Sequence, residues 1–427
     1  MYFLKNYTTT LLVVFISLFF SGVIVHADVV TTIKEKISST SLEIQKIEAE
    51  IAEYEKELQV IGGEKKTLQN EISRLNLSAK KLSADISLTE SKIYNATLSI
   101  DQIEEQIAEK ELKINTNKNA LTASIRSIQI NDGVSTIEAM LSHQSLTDFW
   151  SKVDTLETFQ ISLQEHTEEL QKLREALRVN REEELHKKAE LAHLRASLQG
   201  QKQVIDYNKR EKDTILAVTK NEESKYQEYL EDAKQKREEF ERELSQLESD
   251  LKIAIDPSVL PTSGKGVLSW PLSKIVITQK FGNTAFAQGG AYNGKGHNGV
   301  DFGIPTGTPV KTAGSGVVEA FGNTDEIRGC YSYGKWILVK HPTGLSTLYA
   351  HLSVISVERG ESVAVGDVIG YSGNTGYSTG PHLHFSVYAT QGVRVVRLGD
   401  IKKITNCGNA YIPVAPFEAY LNPLDYL

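Results

Sequence analysis

The sequence predicts a multidomain chain in which a long α-helical coiled-coil hairpin precedes a compact, strand-built domain. Three observations carry this. All ten prolines lie at or after Pro257 and 25 of the 30 glycines lie after residue 253, so the first part lacks chain breakers and the second is rich in turns. The formal charge changes at the same place, from −10 over residues 1–253 to +2 over residues 254–427. A heptad of apolar residues runs through much of the first part and stops before the second. At 427 residues the chain has room for two or three domains. Its net charge of −8 is a mixture of both signs, so no basic face for nucleic acid is expected.

The first element is a targeting segment. Lys5 precedes an apolar run from about Leu11 to Val25 that ends in Val25-His26-Ala27, and small residues there suit cleavage after Ala27. An uncleaved anchor is the alternative, although the run is short against the roughly 20 residues of a bilayer span. Either way the rest of the chain is expected outside the cytoplasm, periplasmic or extracellular. There the two cysteines, Cys330 and Cys407, could pair.

The hairpin follows, over residues 28–254. One seam position reads Ile44, Ile51, Leu58, Lys65, Ile72, Ala79, Ile86, Ile93, Ile100, Ile107, Ile114, Leu121 and Ile128; its companion includes Tyr54, Leu68, Leu75, Leu82 and Ile103. Lys65, Thr89 and Lys110 interrupt the seam and Gly62-Gly63 weakens the helix locally. The pattern changes at Asn131-Asp132-Gly133, and a second charged helical run is expected to continue to about Ala254. The simplest geometry is an antiparallel hairpin with residues 131–155 at its tip. That tip holds Ile137, Met140, Leu141, Phe149 and Trp150. They are either a small local core or a docking surface, since such a set is costly to leave in water. Residues 255–265, with Pro257 and Pro261, read as a linker.

In residues 266–427 the expected strands are Val276–Gln279, Gly316–Ala320, Lys335–Lys340, Ser346–Ala350 and His384–Tyr388. Three histidine-bearing segments lie among them: Gly296-His297-Asn298-Gly299-Val300-Asp301-Phe302, Leu348-Tyr349-Ala350-His351-Leu352, and Gly380-Pro381-His382-Leu383-His384-Phe385. Imidazole and carboxylate are zinc donors, and a catalytic zinc typically has three protein ligands and a water. Residues two apart on a strand share a face, so His382 and His384 can reach one site. His341 reads as structural, and His143, His166, His186 and His193 as solvated helix residues.

These segments together resemble the lysostaphin/LytM-type peptidoglycan metallopeptidases, with their His-x-x-x-Asp, a later His, and His-x-His; the resemblance covers about Gly266–Tyr388. It implies a mainly antiparallel β domain with zinc in an open groove, held by His297, Asp301 and His384, and His351 and His382 as the catalytic histidines. Such a zinc acidifies its water towards a pKa of about 7. One free histidine would move the proton to the leaving amine and the other would stabilise the oxyanion. The stretch from about Gln391 to Ala419 is longer than such a domain needs, and its role is not readable; it could wall the groove or tie Cys407 to Cys330. The order of targeting segment, coiled coil and terminal peptidase-like domain also resembles the cell-division-associated murein hydrolases and their activators. That resemblance implies peptidoglycan as substrate and, at the hairpin tip, a membrane complex of the ABC-transporter type as partner. The expected function is therefore a zinc endopeptidase acting on cross-links or stem peptides of bacterial peptidoglycan, controlled through its coiled coil. A non-enzymatic activator of a separate amidase is the alternative, which the complete His/Asp set disfavours, and a structural wall tether is the third reading.

Overall fold

A computed structural model describes residues 33, 35–58, 60–61, 66–131, 146–250, 263–284, 287, 296–327, 329–378, 380–401 and 407–427. The targeting segment, Gly62-Gly63, the tip residues Ile137, Met140 and Leu141, and most of the linker lie outside them. Phe149 and Trp150 fall in a described helix, with their side chains outside the description. Among the described residues no helix is long and apolar enough to cross a membrane.

The helical part comprises α1 (35–58), α2 (Leu68–Asn131), α3 (Leu146–Thr219) and α4 (Glu223–Asp250). The heptad holds: Leu58, Leu75, Leu82, Ile100 and Ile103 are buried, whereas Leu112, off the seam, is 67% exposed. α2 and α3 run antiparallel. Arg181 meets Glu111 at 2.6 Å and Lys188 meets Glu104 at 2.9 Å. Towards the other end of the pair, Asn208 donates to the Leu75 carbonyl at 3.0 Å.

The second helical run is not continuous to Ala254. It breaks at Lys220 and Asn221, whose φ values of 52° and 60° are left-handed. Asn tolerates that region better than most residues, and Glu223 just beyond accepts from the Leu68 amide at 2.7 Å. A carboxylate there caps the N-terminus of α2.

The chain forms two compact units. One comprises Glu90–Arg195 with the segment up to Gln45; the other comprises Lys46–Thr89 and Ala196–Leu427. The second unit thus joins the base of the helices to the strands. These are β1 (Ile277–Gln279), β2 (Val300–Gly303), β3 (Pro309–Lys311), β4 (Gly316–Asn323), β5 (Lys335–Lys340), β6 (Leu345–Ile355), β7 (Ser362–Val363), β8 (Val368–Ser372), β9 (His382–Ala389), β10 (Arg394–Arg397), β11 (Tyr411–Val414) and β12 (Tyr420–Leu421). The main sheet is antiparallel in the order β1-β2-β9-β6-β5-β4-β7, with β3 paired to β8, β8 to β6, and β12 to β9. The expected strand Lys335–Lys340 appears with those bounds, and the strands expected at Ser346–Ala350 and His384–Tyr388 are longer. The central strand β6 is buried along nearly its whole length, which matches its run of apolar and hydroxyl residues interrupted only by His351. One face carries Ile337, Val339, Tyr349 and Phe385. The other carries Trp336, Leu338, Leu348 and Tyr388, and against it pack Phe240, Leu244 and Leu247 of α4.

Within 391–419, the described residues form the β10–β11 ribbon and the short helix α5 (Leu398–Ile401). Val393, Leu398, Ile412 and Val414 enter the same core as α4. Cys330 and Cys407 are joined across 77 residues with a Cα–Cα separation of 4.9 Å, and both are buried there. In the chain-entropy picture a closed loop of that length contributes about 4–5 kcal/mol. Replacing both cysteines by Ala is expected to lower the thermal midpoint of unfolding by several degrees or more; an unchanged midpoint on calorimetry would contradict the stabilising role of the bond.

The helical base docks directly on the strands. Leu82 of α2 and Val204 of α3 form one buried cluster with Val354 and Tyr371. Beside it, Glu211 of α3 is largely shielded from solvent next to Arg74, Tyr207 and Asn374, and this desolvation pushes its carboxyl up to about 7 from 4.5, against the opposing charge of Arg74. Because the folded value lies above the unfolded one, the folded state holds a proton that the unfolded state releases. Stability is therefore expected to fall as pH rises from about 4.5 to 7, by on the order of 3 kcal/mol from this group. Denaturant unfolding of wild type and Glu211→Gln across that range checks it: the Gln variant should lack this slope and be the more stable of the two at neutral pH.

Candidate metal centre and active site

The site is built on three neighbouring strands. In the β2–β9 register Asp301 lies opposite His384 and Gly303 opposite His382. Ala350 of β6 lies opposite His384 on its other side. His297 sits just before β2, where its backbone bridges Gly282. Alternation along β9 places His382, His384, Ser386 and Tyr388 on one face.

His351 reaches the same place by an irregularity. Between the pairs Ile337–Tyr349 and Lys335–Leu352, β6 has one residue more than β5. This is a bulge, a device that re-aims a side chain. His351 takes φ 60° there, an uncommon conformation for a non-glycine residue. Its amide is held by the Tyr333 carbonyl at 2.9 Å.

Three donor atoms converge. His384 Nδ1 lies 2.9 Å from Asp301 Oδ1, His297 Nε2 lies 3.3 Å from the same oxygen, and the two imidazole nitrogens are 3.1 Å apart. The outer nitrogens are anchored: His297 Nδ1 is 3.0 Å from the Lys280 carbonyl and His384 Nε2 is 2.9 Å from Ser386 Oγ. A carbonyl only accepts, so His297 carries its proton on Nδ1 when neutral, and its Nε2 lone pair points inward. Electron-rich atoms packed this closely need a proton or a cation among them. These three residues form a group able to hold a metal ion, and the anchored outer nitrogens are what metal-binding histidines normally show. Burial works against ionisation of Asp301, yet hydrogen bonds with His297 and His384 hold its carboxyl well below the usual carboxylate range.

Gly299 permits the close packing. A Cβ there would stand 2.6 Å from the Phe385 carbonyl oxygen, 2.7 Å from His384 Cε1 and 2.8 Å from Ser386 Oγ. The other two histidines stack beside the donor set with ring centroids 4.5 Å apart. His351 Nδ1 is 2.8 Å from the Thr375 carbonyl. His382 Nδ1 is 2.9 Å from the Gly380 carbonyl and 2.8 Å from Ser378 Oγ. In each case Nδ1 donates to a carbonyl, which leaves Nε2 as the working nitrogen. Burial, and then the nearby His382 and His384, push His351 well below its ordinary pKa, so it is neutral and able to accept a proton.

All five residues singled out in the sequence therefore meet in one place. His341 does not: it is buried between the Ser315 carbonyl and Thr347 Oγ1, at 3.0 and 2.8 Å. His166, His186 and His193 are exposed on α3, and His143 lies outside the described residues. Sequence reasoning missed the supporting groups. Ser386 could have been found as the next same-face position after His384. Tyr333, whose hydroxyl accepts from Asn298 at 3.1 Å and whose ring centroid is 5.9 Å from that of His384, carries no such periodic sign.

A cavity of about 890 Å³ opens over the site. One wall is strand and loop, including Gln279, Lys280 and Tyr333; another is α4, through Arg237, Phe240, Leu244 and Glu248. Glu248 accepts from the Tyr420 hydroxyl, and the Arg237 guanidinium lies 4.3 Å from the Tyr377 ring centroid.

Residues 295–396 match peptidase family M23, which agrees with the resemblance of the strand-built part to metallopeptidases of the lysostaphin/LytM type. The chain is 44% identical over 89 residues to a DD-carboxypeptidase/endopeptidase of Neisseria meningitidis serogroup B, covering 21% of this chain and 19% of that one. It is 46% identical over 92 residues to a peptidoglycan DD-endopeptidase of Vibrio cholerae, covering 21% and 20%. The catalytic domain of lysostaphin from Staphylococcus simulans aligns at 29% identity and a TM-score of 0.26, over 35% of this chain and 90% of that domain. The alignments thus span about a fifth of the length of these two relatives.

Proposed function

We propose that the protein is an exported, zinc-dependent endopeptidase that hydrolyses cross-links or stem peptides of peptidoglycan. The observation that carries the reading is the convergence of His297, Asp301 and His384 on one point, with His351 and His382 presenting their Nε2 atoms beside it. The Vibrio cholerae relative named as a peptidoglycan DD-endopeptidase supplies the substrate class.

In this reading His297, Asp301 and His384 would hold zinc, and when bound it would supply Lewis acidity to the site. His351, neutral and with Nδ1–H tied to Thr375, accepts the proton of the attacking water at Nε2 and passes it to the leaving amine. His382, with Nδ1–H tied to Gly380, presents Nε2 towards the same centre, where it is placed to stabilise the developing oxyanion. The burial of His297, Asp301, His351 and His384, with His382 partly buried beside them, limits competition from bulk water for these bonds.

The helical region restrains this site, and the support is α4, whose side chains line the cavity above it. The partner proposed to move it, a membrane complex of the ABC-transporter type acting on the tip at residues 131–155 during wall remodelling or division, rests on the sequence alone. The test is to incubate the purified full-length protein, and a variant freed of α4 packing, with purified peptidoglycan, with and without a chelator, and to identify the fragments. Chelator-sensitive release of peptides ending at a cleaved amide is the expected result. Metal-free protein that releases fragments only when an amidase is added would replace the reading by that of an activator.

A further inference from the structure

One five-residue stretch, Tyr371–Thr375, lies between the helical base and both proposed catalytic histidines. Its backbone serves the site: Gly373 forms a bridge with His382, and the Thr375 carbonyl holds His351 Nδ1 at 2.8 Å. Two of its side chains serve the helices. The Tyr371 hydroxyl donates to the Ser197 carbonyl of α3 at 3.1 Å, and its ring enters the space left by Gly200, where a Cβ would lie 2.2 Å from the ring. Asn374 Nδ2 donates to Glu211 Oε1 at 3.3 Å, and behind Glu211 the buried Arg74 of α2 stands 3.9 Å away. Helix contact and histidine contact thus alternate along one short segment.

We infer that Glu211, Asn374 and Tyr371 are positioning residues, through which the base of α2 and α3 sets the orientation of His351 and His382. The inference rests on the proposed hydrolase reading for its kinetic consequence, but the holding of the segment is independent of it. The physical reason is leverage. Thr375 follows Asn374 directly, and its carbonyl decides which nitrogen of His351 faces the centre and where. A displacement of about 1 Å at a reacting group costs on the order of a hundredfold in rate. α4 plays no part in these contacts, so movement of α4 off the cavity leaves them in place.

The experiment uses the full-length protein and three variants: Glu211→Ala, Asn374→Ala and the conservative Glu211→Gln, which keeps an acceptor for Asn374. Steady-state hydrolysis of soluble peptidoglycan fragments is read together with zinc content and hydrogen exchange of the Ser372, Gly376 and Tyr377 amides. Those amides donate to Thr308, Asp325 and Ser332. The expected result is a kcat lowered about tenfold or more in both Ala variants, with KM and zinc content unchanged, faster exchange at the three amides, and most of the kcat kept by Glu211→Gln. Exchange unchanged from wild type in both Ala variants overturns the inference whatever the activity, as does kcat unchanged in both of them. If zinc-loaded wild type releases nothing, the hydrolase reading fails, and the exchange comparison alone decides whether the helices hold the segment.

Discussion

Full-length Asp301→Ala and His384→Ala are expected to purify without zinc and to release no peptide from peptidoglycan, whereas His351→Ala keeps its zinc and loses turnover. The difference follows from geometry. Asp301 Oδ1 is the atom both neighbours share, 2.9 Å from His384 and 3.3 Å from His297. Removing it leaves two imidazoles and no carboxylate, and removing His384 leaves a two-donor set, below the three that catalytic zinc sites use. His351 stands outside that set, with its Nδ1 committed to the Thr375 carbonyl. Its loss removes a proton acceptor, worth about 10²- to 10⁴-fold, and leaves the donors untouched. Elemental analysis alongside fragment release checks both halves. Full activity in His351→Ala would end the assigned mechanism, and zinc retained by Asp301→Ala would end the assigned ligand set.

The second large effect is expected from freeing α4. Phe240, Leu244 and Leu247 are 5%, 8% and 3% exposed and share a core with Trp336, Tyr388 and Tyr420. Truncating one such buried side chain costs roughly 2–5 kcal/mol. Replacing Phe240 and Leu244 together by Ser in the full-length protein therefore shifts the balance between covered and open cavity by two orders of magnitude or more. Peptidoglycan should be digested at least about tenfold faster, with zinc content unchanged. Equal digestion by wild type and a double variant whose strand domain remains folded would show that α4 is a wall of the groove and not a restraint on it.

The sequence carried the donor set because metal ligation needs particular residue types at strand spacing, and His297, Asp301, His382 and His384 sit within short segments whose register is local. His351 was legible as a residue but not as a geometry: the extra residue in β6 and the left-handed backbone depend on β5, a strand that pairs with it from a distance. The heptad gave the helices but not their break at Lys220–Asn221. Least legible were contacts between distant segments. Phe240 and Leu244 lie within what the sequence shows only as a charged helical run, and nothing local marks them as lining the cavity over a site far along the chain. The two cysteines were readable as a possible pair, yet the fold of residues 391–419 around them was not.

The docking of the helical base has a consequence in time. Leu82 and Val204 are fully buried only once Val354 and Tyr371 lie against them, yet they leave the ribosome far earlier. At about 5–20 residues per second, the stretch from Val204 to Tyr371 takes on the order of 10–30 s to synthesise. Helices form within microseconds, so for that interval a finished helical pair carries an apolar face whose partner does not yet exist. Antiparallel pairing of α2 and α3 hides most of the seam but leaves Leu82 and Val204 waiting for Val354 and Tyr371. A chain delayed or cut before Tyr371 would present a ready-made sticky surface, so the nascent protein has its greatest need of a chaperone between those two residues.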